Sequence, residues 1–217
     1  MEEALWRSAD GARERIARGA RPPAWFRDAL LAIPAADRDA WLDATLGLAE
    51  IPDDGPELPR GCVPYLPCPV ADLLRVVERS SIGSADVVVD VGSGVGRAAA
   101  AIHLLTGAPV VGLELQTRMV DASRALAARL GLAGISFELG DAAALAGSVD
   151  AATVFFLYCP FGGERLATLL ARLEPLGRVR PIRVACVDLP LPPCDWLEAD
   201  EASPDGVQVH RSAPRPR

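Results

Sequence analysis

The sequence lacks several features by which a protein's partners can be recognised. It contains no lysine, so all 22 basic residues are arginine, and 29 acidic residues give a formal net charge of −7. Proteins that hold nucleic acid by its phosphates need clustered basic side chains. The composition therefore argues against a nucleic acid partner. The absence of lysine beside abundant alanine is typical of a GC-rich, bacterial genome.

Metal-binding and disulfide patterns are missing as well. The only histidines are His103 and His210, and the five cysteines are scattered without a CxxC pair. Since structural zinc sites need Cys and His at close, regular spacing, none is predicted. We expect no metal and ordinary reduced thiols.

The chain also lacks a long apolar run. No stretch of about 18 uninterrupted apolar residues occurs, and residues 1–6 do not begin a signal peptide. With 217 residues, half of them hydrophobic, the sequence can bury a sizeable core. We expect a globular, cytoplasmic protein without membrane insertion, whose oligomeric state stays open.

Residues 1–58 are predicted to form an N-terminal helical extension or lid. Apolar residues recur at three and four spacing in 3–20 and 23–49, which predicts two or three short amphipathic helices interrupted at Pro34. Four prolines between 59 and 69 exclude a helix there and favour an extended segment. A helix is predicted for Val70–Arg79.

The second predicted unit, residues 59–217, has an α/β pattern. Short β-branched runs alternate with helical stretches, which indicates a doubly wound, mainly parallel sheet. The tail favours an antiparallel hairpin around Asp205-Gly206, and residues 211–217 are expected to fray. The prolines within Leu189–Asp195 leave no room for a helix before that hairpin. Strands are predicted at 87–90, 110–115, 135–139, 151–158 and 182–189, and helices at 95–106, 117–130 and 163–173.

A glycine-rich turn, Asp90-Val91-Gly92-Ser93-Gly94-Val95-Gly96, joins the first of these strands to a helix. Glycines allow close approach of a ligand to the backbone, and the helix N-terminus offers free N–H groups. A dinucleotide-binding domain would use a similar turn. The acid at Asp90 and the GxGxG spacing favour S-adenosylmethionine instead, with Asp90 near the cofactor's ammonium.

Two further acids follow the next two strands. Glu114, with Leu115 beside it, can accept both ribose hydroxyls, although a solvated acid at a strand end would look the same. Asp141 can accept the adenine amine while Ala142 offers a backbone N–H, although a helix N-cap would also place an acid here. Three acids after three successive strands form a specific pattern for this cofactor.

Residues 86–158 resemble the class I, seven-stranded S-adenosylmethionine-dependent methyltransferases. A narrower likeness lies in Cys62-Val63-Pro64-Tyr65-Leu66-Pro67, in VVVDVGSGVGR at 87–97 and in VVGLELQ at 110–116, which are similar to the non-SET protein lysine methyltransferases. The likeness implies that the Val-Pro-Tyr segment folds over the methionine end of the cofactor, with Tyr65 near the transferable methyl. The alternative is a proline-rich connector that only closes off the extension.

The segment Tyr158-Cys159-Pro160-Phe161 follows the fourth strand, where this class has residues that face the substrate. It resembles the Asn/Asp-Pro-Pro-Tyr/Phe box of amine-methylating enzymes, but Tyr158 and Cys159 depart from the first two positions. We interpret Tyr158 as a residue that orients or deprotonates an acceptor amine, with Phe161 packing against it; core packing is the alternative. Asp188 is a further polar candidate, or a strand-end acid in water.

The leading hypothesis for function is methylation of a protein side-chain nitrogen, that of lysine, with Tyr65 and Tyr158 as catalytic residues. Methyl transfer from a sulfonium depends on alignment and desolvation and often needs no general base. One alternative is a small-molecule N- or O-methyltransferase. Another is a protein that binds the cofactor without catalysis.

Overall fold

The computed structural model describes residues 2–19, 23–55, 58–200 and 206–213. The helices are α1 Glu2–Ala17, α2 Ala24–Ala32, α3 Arg38–Leu46, α4 Val70–Arg79, α5 Arg97–Thr106, α6 Thr117–Leu130, α7 Ala142–Leu145 and α8 Gly163–Val179, with short 3₁₀ turns at Ala35–Asp37 and Ala146–Ser148. The strands are β1 Val88–Val91, β2 Val110–Glu114, β3 Ile135–Leu139, β4 Val154–Tyr158, β5 Arg183–Val187, β6 Leu197–Ala199 and β7 Val207–Ser212.

The seven strands form one sheet in the order β3-β2-β1-β4-β5-β7-β6. Strands β1 to β5 are parallel, while β7 is antiparallel to both β5 and β6. The predicted doubly wound sheet with a C-terminal antiparallel pair is therefore confirmed. The strand order reverses between β1 and β4, which is where such sheets open a crevice for ligands.

Side chains alternate between the two faces of the sheet, as the two-residue repeat of a strand requires. Val88 and Val110 pack with α4, α5 and α6 in one core, while Val89 and Val91 pack with α7 and α8 in the other. Because both faces are covered, the parallel strands read as continuous apolar runs in the sequence.

The N-terminal extension adds a further layer outside α5 and α6. Phe26, Leu30, Trp41 and Leu42 are fully buried and belong to the same core as α4 and α5. The Trp41 indole N–H donates to the Ser8 hydroxyl at 3.1 Å, which fixes α3 against α1. The helical segment is interrupted between α2 and α3 at Pro34, as predicted. The described part of the extension thus shares the core of the second predicted unit.

Helix α8 was predicted to end at residue 173, and this prediction is wrong. The helix continues through Pro175 to Val179. Proline removes one N–H, which would otherwise bond the Ala171 carbonyl. The contacts beyond it compensate, because Gly177 packs so tightly on Trp196 that a Cβ would lie 2.6 Å from the indole ring.

Other boundaries move by a few residues. Helix α5 begins at Arg97 and not at 95, because Gly96 is left-handed with a φ of +80°. Strand β4 begins at Val154, three residues later than predicted, and β5 ends before Asp188, whose φ is +49°. The predicted fraying from residue 211 is wrong for Arg211 and Ser212, which pair within the sheet through β7. The predicted Asp205-Gly206 turn lies partly outside the described residues.

The segment Leu189–Asp195 contains no helix, as its prolines predict. Trp196 follows it, is 3% exposed and fills the core on the α8 face of the sheet. None of the helices in the described ranges is long and apolar enough to cross a membrane.

Candidate cofactor and methyl-transfer site

A cleft opens at the carboxyl ends of β1, β2 and β4. Its empty volume is about 880 Å³, which includes space open to solvent. The predicted site residues that line it are Tyr65, Asp90, Gly92, Ser93, Glu114, Leu115, Asp141, Ala142 and Tyr158.

Three predicted cofactor residues do not line this cleft. The Val91 side chain points to the opposite side and is buried in the α8 core. Gly96 faces the Phe137 ring, where a Cβ would lie 2.5 Å away. Gly94 lies beneath the Tyr65 ring, and a Cβ there would come within 2.3 Å of it. Gly96 therefore serves the packing of α5, whereas Gly94 has a φ of +53° and admits an aromatic ring onto the turn.

Asp90 is a buried carboxyl group on the floor of the cleft. It is 3% exposed, and its Oδ2 has no hydrogen-bond partner among the described residues. Burial, and then the nearby Glu114 charge, raise the pKa of Asp90 to about 7. An uncompensated buried carboxylate is costly, so this position favours a cationic ligand.

Glu114 ends β2 and is 8% exposed. Its Oε2 accepts a hydrogen bond from the Gly94 N–H at 2.9 Å, and its Oε1 accepts one from the Gln116 N–H at 2.8 Å. A carboxylate has about four acceptor sites, so two remain for the hydroxyls of a ligand. Glu114 is therefore no solvated acid: it organises the glycine turn and faces the cleft.

Asp141 has two partners within the protein. It caps α7 by accepting from the Ala143 N–H at 3.0 Å, and the Arg165 guanidinium donates to the same oxygen at 2.7 Å. The helix-cap interpretation is thus correct for its geometry. Because Asp141 also lines the cleft, capping leaves its second oxygen available to a ligand.

Tyr65 belongs to the extended segment that precedes α4, and its ring lies over the glycine turn. Its hydroxyl oxygen is buried and has no partner among the described residues. Burial raises the pKa of Tyr65 to about 12, although the Arg97 charge acts in the opposite direction. The phenol is therefore protonated at neutral pH.

Tyr158 ends β4 and is half-buried at the other wall of the cleft. Burial raises the pKa of its phenol, and the nearby Cys68 and Cys159 thiols act in the same direction. Cys159 follows with a φ of +43°, and its thiol donates to the carbonyls of Val187 and Asp188 at 3.2 Å. Asp188 itself is exposed and does not line the cleft. Left-handed residues at the ends of β4 and β5 store strain where acceptor-facing residues are expected.

Three polar residues of the cleft were given no role by the sequence analysis: Arg97, Gln116 and Arg165. Arg97 is 3% exposed and donates to Asp43 at 2.5 Å, to Asp39 at 2.8 Å and to the Cys68 carbonyl at 2.6 Å. It therefore ties the N-terminal extension to the cleft. Arg97 and Gln116 stand directly after the glycine turn and after Glu114-Leu115, so their position was a usable signal. Arg165 comes from α8, and no local motif marks it.

Three residues of this cleft carry buried polar atoms without partners. Asp90 Oδ2, Ser93 Oγ and Tyr65 Oη each lack one among the described residues, and all three residues line the cleft. Buried polar atoms are normally satisfied, so their presence in one cleft favours a polar ligand there. A cofactor that carries an ammonium and hydroxyl groups fits this set.

Comparisons with known proteins agree with this geometry. Residues 88–177 match a family described as a methyltransferase domain. None of the curated proteins matches significantly. The fold is similar to that of an RNA methyltransferase from Salinibacter ruber in complex with S-adenosyl-L-homocysteine, with 25% identity, a TM-score of 0.57, and coverage of 70% of this chain and 96% of that one.

Two further structures are similar in fold. A methyltransferase from Geobacter sulfurreducens is 16% identical with a TM-score of 0.50, covering 70% of this chain and 94% of that one. A putative methyltransferase from Escherichia coli is also 16% identical with a TM-score of 0.50, covering 67% and 84%. Residues 88–177 thus form a methyltransferase domain of the class I, Rossmann-like fold, and the chain is an S-adenosylmethionine-dependent methyltransferase.

Proposed function

We propose that this enzyme methylates a nitrogen of a protein side chain, the amine of lysine. The observation that carries the proposal is the Tyr65 hydroxyl, which is buried and unpartnered within the described residues beside the glycine turn. An amine that enters the cleft offers N–H groups to such an oxygen. The formal charge of −7 also favours a cationic partner such as a lysine-bearing peptide.

The two halves of the proposed site have separate tasks. Asp90, Ser93, Glu114 and Asp141 line the part that would hold the cofactor, which supplies a methyl group on a sulfonium when bound. Tyr65 and Tyr158 flank the part left for the acceptor. Raised pKa values keep both phenols protonated at neutral pH, so they orient the amine and do not remove its proton. The amine reaches its neutral, reactive form by losing a proton to water.

A small-molecule acceptor is the second candidate, because the cleft is partly closed. The Val63 N–H donates to the Pro160 carbonyl at 3.1 Å, and Cys62 pairs with Phe161 in an antiparallel bridge. These contacts join the segment before α4 to the segment after β4. They narrow the entrance, which suits a compact acceptor. An RNA acceptor, as in the Salinibacter ruber neighbour, would meet an acidic protein.

The acceptor class can be tested by incubating the enzyme with methyl-labelled S-adenosylmethionine and a lysate. We expect label in protein, recovered as methyl-lysine after acid hydrolysis. The chain itself contains no lysine, so label in that amino acid cannot come from automethylation of a side chain. Label confined to small metabolites or to RNA would contradict the proposal.

Matched variants make the assay specific. Glu114→Ala should reduce labelling with every acceptor at low S-adenosylmethionine concentration, because it removes a cofactor contact. Tyr158→Phe should reduce the labelling rate about tenfold while S-adenosylhomocysteine binds as before, since it removes one hydroxyl on the acceptor side. If Tyr158→Phe lost S-adenosylhomocysteine affinity as much as it lost labelling rate, the task assigned to Tyr158 would be contradicted.

A further inference from the structure

An extended segment crosses the cleft between the N-terminal extension and α4. We call residues 51–55 and 58–69 the strap. At one end the Cys68 carbonyl accepts from buried Arg97 at 2.6 Å, and in the middle Val63 is bonded to Pro160. Tyr65 lies between these two anchors, so the position of the strap decides where its ring lies.

Asp54 holds the strap from the other end. The Tyr65 N–H donates to the Asp54 carboxylate, at 3.1 Å from each oxygen. Asp54 does not line the cleft, so it does not touch a ligand there. Among the described residues, it connects to the site through Tyr65 and through one further partner.

That partner is Gln116, which is 4% exposed. Its Nε2 donates to Asp54 Oδ1 at 2.7 Å, and its Oε1 accepts from the Gly55 N–H at 2.6 Å. The backbone N–H of Gln116 donates to Glu114 at 2.8 Å. One buried amide therefore joins the strap to the carboxylate that ends β2.

These contacts close a circuit. Glu114 accepts from Gly94, and the Tyr65 ring lies against Gly94, while Asp54 and Gln116 connect Tyr65 back to Glu114. A ligand that binds Glu114 and the glycine turn thus touches two members of a ring that also holds Tyr65. Linked hydrogen bonds of this kind strengthen one another, so loss of one member weakens the others.

We infer that Asp54 is a positioning residue, which together with the cleft residue Gln116 sets the Tyr65 ring over the methyl-donor site and couples the strap to cofactor binding. The inference rests on the cofactor half of the proposed function and not on the identity of the acceptor. It can therefore fail or hold whichever acceptor the labelling assay finds.

The test measures hydrogen–deuterium exchange in the peptide that contains Tyr65, with and without S-adenosylhomocysteine. In the unaltered protein the product should slow exchange there. Asp54→Ala should remove most of this slowing and weaken product affinity about tenfold, since two donors lose their acceptor. Asp54→Asn should retain part of both effects, because an amide oxygen in place of Oδ1 still accepts from Tyr65 and from Gln116, whereas the NH2 group in place of Oδ2 no longer accepts from the Tyr65 N–H.

Two more variants serve as a negative control and as a second disruption of the same contacts. Asp53→Ala alters the neighbouring exposed acid, lies outside the circuit and should behave as the unaltered protein. Gln116→Ala should reproduce Asp54→Ala. Unchanged exchange and affinity in both Asp54→Ala and Gln116→Ala would overturn the inference, as would equal losses in Asp54→Ala and Asp54→Asn. The outcome is independent of turnover, so it is separable from failure of the acceptor assay.

Discussion

The two halves of the cleft are built in different ways. The cofactor half consists of residues at or just after the ends of β1, β2 and β3, and its key contact, from the Gly94 N–H to Glu114, joins neighbouring parallel strands. The acceptor half depends on the strap, in which Val63 pairs with Pro160 from a distant part of the chain. The cofactor half is thus set by the sheet itself, whereas the acceptor half requires the extension to be docked.

The largest effect on the cofactor half is expected from Gly94→Ala. The new Cβ would meet the Tyr65 ring at 2.3 Å on a residue with a φ of +53°. Overpacking and strain together should weaken S-adenosylhomocysteine binding about 100-fold, or ~3 kcal/mol, in calorimetry. Gly131→Ala is the control, because Gly131 has a φ of +63° with no neighbour within 4 Å, so it should lower stability alone. Similar affinity losses in both variants would contradict a specific contact.

A smaller effect is expected from Glu114→Ala. The change leaves the N–H groups of Gly94 and Gln116 without their acceptor and removes a ligand contact, at a cost of about 1–3 kcal/mol in product binding. Asp90→Ala should cost a similar amount. Glu138→Ala, which alters an exposed carboxylate on the adjacent β3, should leave binding unchanged in the same titration. Unchanged affinity in both Asp90→Ala and Glu114→Ala would refute the site.

The smallest effect is a pH dependence carried by Asp90. Its pKa of about 7 means that the free protein holds a proton there below neutral pH, whereas a bound ammonium requires the carboxylate. Product affinity should therefore be roughly tenfold lower at pH 6 than at pH 8, and Asp90→Asn should flatten that slope. In the free protein the sign is opposite: stability from this group is full below its ordinary pKa of 3.8 and is lost as pH rises towards 7. If product affinity changed equally with pH in the unaltered protein and in Asp90→Asn, Asp90 would not be the group responsible.

The sequence allowed the cofactor half to be predicted because each feature is local. Asp90, Glu114 and Asp141 follow strands with clear β-branched runs, and parallel strands bring their carboxyl ends to one edge. Other contacts of the site escaped for the converse reason. Arg165 reaches Asp141 from α8, and Asp54 accepts from the Tyr65 N–H eleven positions away and from the buried Gln116 side chain. Periodicity does not carry such contacts, because packing between distant segments creates them.

The assignments of Val91 and Gly96 show a further limit. A glycine motif identifies the turn but does not say which of its members face the ligand. Gly96 is required by the Phe137 ring behind α5, and the Val91 side chain is directed to the opposite core by the alternation of β1. Gly92 and Ser93 line the cleft and Val91 and Gly96 do not, and this difference is visible only in how the residues behind the turn pack.

The order of strands has a consequence for folding during synthesis. Strand β7 lies between β5 and β6, yet it is made after every other strand. While the ribosome produces the preceding segment, β5 presents an open edge with unpaired N–H and C=O groups, which other chains can join. Completion of the sheet therefore waits for Val207–Ser212, and a nascent chain halted before these residues is exposed to aggregation at β5.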